Sequence, residues 1–325
     1  MIMITGGAGF IGSNLHAALV QRGHAPVVVD WLGAGEKWRN LERHPPYRII
    51  RPDALEDFLA DRPPLEAIFH LGADGNSTAT DGDAVWDTNV ELSIRLWRWC
   101  IQHQVRFIYT SSAATYGNGA PDSDDRGFDD DPALLRTLRP QSLYAWTKHA
   151  FDLQVIRAAS HPPQWVGLKL FNVYGPNEYH KGPVVSAVTA KYDELSRGEP
   201  ARLYRSGRDG VADGAQARDF VHVNDVVQVM LWLLEHPAVQ GLYNVGTGQA
   251  RTYLDVAHTV ADAAGLPRQV EFVPMPEALV GQYQYFTQAR MDRLRQAGYD
   301  RPFMTLEDGI GAYVRDHLAG PERYV

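Results

Sequence analysis

Short apolar runs rich in β-branched and aromatic residues alternate along this chain with stretches whose apolar positions recur at helical spacing. The runs predict strands near residues 1–5, 26–30, 47–50, 66–70, 106–110, 165–171 and 242–245. Between them, helices are predicted near 10–22, 83–103, 144–160 and 223–236. Such alternation builds an α/β protein, a doubly wound parallel sheet with helices on both faces, whose ligands collect at the carboxyl ends of the strands. The rhythm breaks after Phe171, where residues 172–216 are rich in Gly, Pro and charge, and again after Gly248. We therefore expect a larger domain over 1–171 and 219–248, with a smaller one over 172–218 and 249–325 interleaved. No internal repeat or low-complexity tract is visible.

The first strand runs into Thr5-Gly6-Gly7-Ala8-Gly9-Phe10-Ile11-Gly12. A strand, a glycine turn and a helix start together present free backbone N–H groups and a positive helix end to phosphate oxygens. Gly6 suits the tight turn, Gly9 a close approach of the backbone to a pyrophosphate, and Gly12 the packing of helix on strand. A second strand ends at Asp30, 18 residues past Gly12, about the ~20 expected for a carboxylate on the ribose of a dinucleotide. The larger domain is thus Rossmann-type.

Composition narrows the partners. A net charge of −8 argues against nucleic acid. The only cysteine, Cys100, falls on a predicted helix, so neither a disulfide framework nor a cysteine-based metal site is expected, and no other metal site is read from the sequence. The chain opens on a strand, and no apolar stretch approaches the ~20 residues that span a bilayer. A cytoplasmic protein with no membrane partner is the expectation.

A second constellation follows the strand 106–110. Ser111 and Ser112 lie just past it, and Tyr144-Ala145-Trp146-Thr147-Lys148 opens a helix. Tyr and Lys four apart share one helix face, so the ammonium stands close to the phenol. A phenol near pKa 10 is a poor base at neutral pH, but a neighbouring cation and an oxidised nicotinamide favour phenolate. Ser112 is placed to hydrogen-bond the same substrate hydroxyl.

With these residues the chain resembles the extended short-chain dehydrogenase/reductase superfamily over nearly its whole length. More closely, it is similar to the ADP-L-glycero-D-manno-heptose 6-epimerase family. The runs that carry this are Ser111 to Gly117, Phe171 to Pro176, His180-Lys181-Gly182, Arg218 to Val221, Gln282 to Gln288, and Ala297 to Asp300. The resemblance implies that a nicotinamide oxidises C6 of the heptose, the aldehyde turns, and hydride returns to its other face. Two bases are then needed, matched here by Tyr144 and Lys181, with Ser112 and Lys148 completing the catalytic set. Matching also assigns Phe10, Ile11, Asp30, Trp31, Lys37, Gly72, Ala73, Asn89 and Val173, besides the glycines and Lys148, to the cofactor. Ser112, Asn172, Tyr204, Arg218 and Tyr283 fall to the substrate, a nucleotide-diphosphate sugar; a bidentate guanidinium at Arg218 suits a diphosphate. Homo-oligomers, pentamers among them, are a property of the family.

Asp30 alone would repel a 2′-phosphate and favour NAD. The family nonetheless generally uses NADP with an acid here, aided by a lysine that matches Lys37, and Arg39 is a further candidate. NADP is the expected cofactor, with NAD as the alternative. A second family lysine is replaced by Leu55, Pro183 follows His-Lys-Gly where a small polar residue is usual, Ala190 replaces a His, and residues 206–216 look like an insertion. These departures leave a UDP- or GDP-sugar 4-epimerase as the alternative and, from another class, a non-catalytic dinucleotide sensor. A 4,6-dehydratase is disfavoured, since Ala113-Ala114 occupy the place of its Asp-Glu pair.

Overall fold

The computed structural model describes residues 1–76, 79–118, 128–281 and 283–325. Its centre is a seven-stranded, wholly parallel sheet, built as expected from β1 (Ile2–Thr5), β2 (Val27–Val29), β3 (Arg48–Ile50), β4 (Ala67–His70), β5 (Arg106–Ser112), β6 (Trp165–Leu170) and, later in the chain, Gly241–Val245. From one edge the order is β3, β2, β1, β4, β5, β6 and the strand Gly241–Val245. The order reverses between β1 and β4, which makes the gap between their carboxyl ends the natural ligand crevice.

Both faces of this sheet are covered, and alternate residues serve opposite cores. Met3, Ile68, Phe107 and Tyr109 pack on one side with Trp97 and Phe151. Ile2, Ile4, Phe69 and Ile108 pack on the other with Leu15, Leu19, Val226 and Met230. The helices that supply these partners are α1 (Phe10–Gln21), α4 (Leu92–His103), α5 (Leu143–Arg157) and α7 (Val223–Glu235); the short α2 (Leu55–Ala60) and α3 (Gly82–Trp86) complete the first half. The single helix expected over 83–103 is one continuous rod with a π turn at Asp87–Glu91 joining α3 to α4. Helix α5 stops at Arg157 rather than residue 160 because Ala158 turns extended ahead of Pro162 and Pro163.

The expected strand 165–171 divides at Phe171: β6 stays in the large sheet, while β7 (Asn172–Tyr174) pairs with β9 (Ala217–His222) in a separate one. There β9 also pairs with β11 (Ala250–Thr252), while β8 (Ala201–Tyr204) and β12 (Val270–Val273) form a third, two-stranded sheet; the large-sheet strand Gly241–Val245 is therefore β10. A third apolar cluster lies among α6 (Ala187–Ser196), α8 (Tyr253–Ala264) and α10 (Leu306–Tyr313), and α9 (Asp292–Gln296) packs beside β10.

A buried ion pair joins β5, β6 and α5. Leu168 and Leu170 face one core, so Gly167 and Lys169 face the other, and a Cβ on Gly167 would come within 2.6 Å of the Tyr109 ring. Beside it, Lys169 Nζ donates to Asp152 Oδ2 at 2.7 Å and to Thr115 Oγ1 at 2.8 Å. Asp152 also accepts from Tyr109 Oη at 2.9 Å and Ser111 Oγ at 2.7 Å. Both charged side chains are wholly buried. Such a pair survives because every strong donor and acceptor is met; with one partner removed, the other charge is stranded. We expect Lys169→Met to lower stability by about 3–5 kcal/mol, read as a lower urea midpoint at an unchanged denaturant slope.

Candidate functional site

A cleft of about 950 Å³ opens at the carboxyl ends of β1, β4, β5 and β6. Its floor is the glycine turn. Gly6 has φ +69°, and a Cβ there would stand 2.6 Å from the backbone nitrogen of Gly72. A Cβ on Gly12 would lie 2.2 Å from the Gly6 carbonyl oxygen. Gly7, which has no separate role in the sequence pattern, is also closely packed, since its Cβ would meet both Val28 methyls at 2.9 Å. Gly9 differs: a Cβ would touch only the Gly6 oxygen, at 3.1 Å. Helix α1 begins at Phe10 with no side-chain cap and no acid in its first turn, so its first N–H groups remain for a ligand. Phe10, Ile11, Gly72 and Ala73 complete this wall. The turn, the open Gly9 and the uncapped helix fit a dinucleotide pyrophosphate.

At the end of the cleft beyond β2, Asp30 is fully engaged by its own chain. Its carboxylate accepts from Ala8 N at 2.9 Å, Trp31 N at 2.8 Å and Lys37 Nζ at 2.6 Å. Trp31 is exposed, and the Arg51 guanidinium lies 4.8 Å from its ring centroid. Arg39 is turned away, over the Tyr324 ring and toward Glu36 and Glu42.

Ser112, Tyr144 and Lys148 line the opposite side of the cleft. Ser142 caps α5 by accepting from Ala145 N, which fixes the first turn that carries Tyr144. Burial raises the Tyr144 pKa, and a hydrogen bond with Ser112 opposes that. Lys148 is buried and donates to Thr110 O at 2.9 Å. Burial lowers its pKa to about 8, with the charge of Asp152 opposing.

Asn89 stands behind the cleft wall rather than in it. From the π turn its Oδ1 accepts from Asp74 N at 2.8 Å, and its Nδ2 donates to Asp74 O and Thr147 Oγ1, each at 3.1 Å. It thereby ties the loop after Ala73 to the helix of Tyr144. A second strand of contacts runs beside it. Gly72 N donates to Thr5 Oγ1 at 3.1 Å, Thr5 Oγ1 meets His70 Nδ1 at 2.7 Å, and His70 Nε2 meets Ser93 Oγ at 2.8 Å. Ser93 Oγ gives its one proton to Asn89 O at 2.7 Å, so Nε2 of His70 must donate and Nδ1 accept. Burial, assisted by Lys148, holds the His70 pKa near 3, and the ring is neutral. Nothing in the sequence pattern marked Thr5, His70 or Ser93.

Lys181 enters from a loop after β7. Its Nζ lies 4.2 Å from the centroid of the Phe10 ring and 3.8 Å from Glu178 Oε2, with 31% of the side chain exposed. Burial lowers its pKa, and Glu178 raises it. Asn172 and Val173, on β7, line the same cleft.

Arg218 is 5% exposed, yet among the described residues its guanidinium donates to Ala217 O alone and otherwise lies over the rings of Tyr283, at 4.9 Å, and Tyr253, at 5.9 Å. Among the described residues no carboxylate pairs with it. A buried cation without an anion is costly, and points to an anionic ligand. Tyr204 meets Tyr283 edge to face, and Tyr283 meets Tyr285 likewise. The loop within 206–216 closes on this ladder: Gly207 N donates to Tyr285 Oη at 3.1 Å, and Arg208 lies over the Tyr285 ring. Gln282, at the head of the C-terminal run, lies outside the described residues.

The NAD dependent epimerase/dehydratase family model matches residues 2–246. The ADP-L-glycero-D-manno-heptose-6-epimerase of Alkalilimnicola ehrlichii is 44% identical over 97% of this chain and 96% of its own. Among solved structures, the Helicobacter pylori ADP-L-glycero-D-manno-heptose-6-epimerase superposes with a TM-score of 0.77 at 26% identity, covering 96% of this chain and 94% of that one. The Thermus thermophilus UDP-glucose 4-epimerase, in complex with NAD, gives the same score at 27% identity over 98% and 99%. The chain therefore belongs to the NAD dependent epimerase/dehydratase family, on the branch of its ADP-L-glycero-D-manno-heptose-6-epimerases.

Proposed function

We propose that this protein inverts C6 of an ADP-glycero-manno-heptose with no net oxidation. The observation that carries this is the pair of proton-transfer groups, the phenol of Tyr144 and the amine of Lys181, that different elements bring to the cleft floored by the glycine turn. A nicotinamide bound on that floor supplies reversible hydride acceptance at a carbinol carbon. The chain's own part is to manage protons and to hold the sugar nucleotide. Tyr144, with Ser112 beside it and the cation of Lys148 one turn on, serves one face of the carbinol. Lys181, with its pKa lowered by burial, serves the other. The unpaired Arg218 grips the diphosphate, and the tyrosines around it hold the base. On this reading the segments 172–218 and 249–325 bind substrate.

The dinucleotide we assign is NADP. The Asp30 carboxylate is already neutralised by Lys37, which offsets its repulsion of a 2′-phosphate. Arg51, over the exposed Trp31 at the same end, is itself paired with Asp53 at 2.6 Å and adds no net charge there.

Three outcomes test the reading. In deuterated water the product should carry no solvent deuterium at C6, by mass spectrometry and NMR; incorporation there would exclude internal hydride return. Tyr144→Phe and Lys181→Met should each lower kcat by ~10²–10⁴-fold while the cofactor absorbance of the purified protein is unchanged. Mass spectrometry of the ligand released on denaturation should find NADP(H), and finding NAD alone would refute the assignment.

A further inference from the structure

Glu178 is a wholly buried carboxylate outside the groups used so far. Four donors hold it. Oε1 accepts from Ser186 Oγ and Thr189 Oγ1, each at 2.6 Å, and lies 3.5 Å from Tyr313 Oη. Oε2 accepts from Ser186 N at 2.6 Å. Ser186 is the N-cap of α6 and Tyr313 ends α10, so two helices fix the carboxylate. Among the described residues the one cation within ion-pair distance is Lys181, 3.8 Å from Oε2. Lys181 in turn rests on the Phe10 ring, at the head of α1.

We propose that Glu178 is a positioning residue for the second proton-transfer site: its fixed carboxylate holds the Lys181 amine at the cleft wall and sets the balance there between ammonium and free amine. This rests on reading Lys181 as the second base.

A desolvated ammonium in contact with an aromatic face alone would lose its proton too readily, and a carboxylate in direct contact would hold the proton too firmly. At 3.8 Å, with its lone pairs occupied by Ser186 and Thr189, Glu178 acts between these limits. The other groups around the amine do not replace it. Neighbouring His180 accepts at Nδ1 from Asn40 Nδ2 at 3.1 Å, and burial together with Lys37 and Lys181 holds its pKa near 4, so the ring is neutral. Tyr313 and Tyr179, behind Glu178, have pKa values raised by burial and remain uncharged. Phe10 brings no charge.

The test is ¹⁵N NMR of protein labelled at its five lysines, the Lys181 Nζ signal being identified by its loss in Lys181→Met. In Glu178→Gln the Lys181 midpoint should fall by roughly 1 pH unit, the lower end of what an opposite charge at this range produces. An unmoved midpoint overturns the proposal. The limb of the kcat/KM profile governed by Lys181 should move down with it; a moved NMR midpoint with a stationary limb would keep the coupling and discard Lys181 as a base. Should Glu178→Gln fail to fold, Glu178→Asp keeps the charge but draws it back by one methylene. The Lys181 midpoint should then fall by a smaller amount, and an unmoved midpoint there is equally decisive against it.

Discussion

Backbone meets backbone where β1 and β4 end, with no room for a single added carbon between Gly6, Gly12 and Gly72. The close approach brings two crossovers together at the one place where the strand order reverses, and it leaves the head of α1 uncapped and aimed into the crevice. The rest of the site is arranged around that fixed floor. Tyr144 and Lys148 reach it from the helix that follows β5, and Lys181 reaches it from the loop that follows β7 by resting on Phe10, the first residue of α1.

Charge is handled in two contrasting ways around this floor. Lys169 and Asp152 are sealed from water and satisfied by Tyr109, Ser111 and Thr115, so they serve as a rigid joint beneath the helix that carries Tyr144. Arg218 is nearly as buried but, among the described residues, faces aromatic rings and one carbonyl. The first arrangement is complete as it stands, and the second awaits an anion.

The large sheet was legible in the sequence because its strands, the edge strand β3 apart, are buried on both faces and read as continuous apolar runs between helical stretches. The second half of the chain was not, because strands such as Ala250–Thr252 are only three residues long and pair across large separations, leaving no local period. In the site, the glycine turn and the Tyr144–Lys148 spacing are local patterns with one geometric meaning each. Glu178 carried a weak local signal, three residues before Lys181, but its importance lies in Ser186, Thr189 and Tyr313, and the last is 135 residues away. Thr5, His70 and Ser93 come from three separate elements, so only the folded sheet brings them into line. Arg51 comes to lie over Trp31 only once β2 and β3 pair.

The π turn at Asp87–Glu91 gives the rod from Gly82 to His103 one residue more than regular winding would hold. That surplus residue is a matter of phase. Removing any one position before Asn89 would let the helix wind evenly, yet would swing this amide by about 100°, away from Asp74 and Thr147 at once. The loop after Ala73 and the helix bearing the phenol would then lose their common strut while every apolar contact beyond Leu92 stayed in register. Evenly wound helices are the easier solution for a chain, so the irregular one marks where alignment of two walls outweighs regularity of a third.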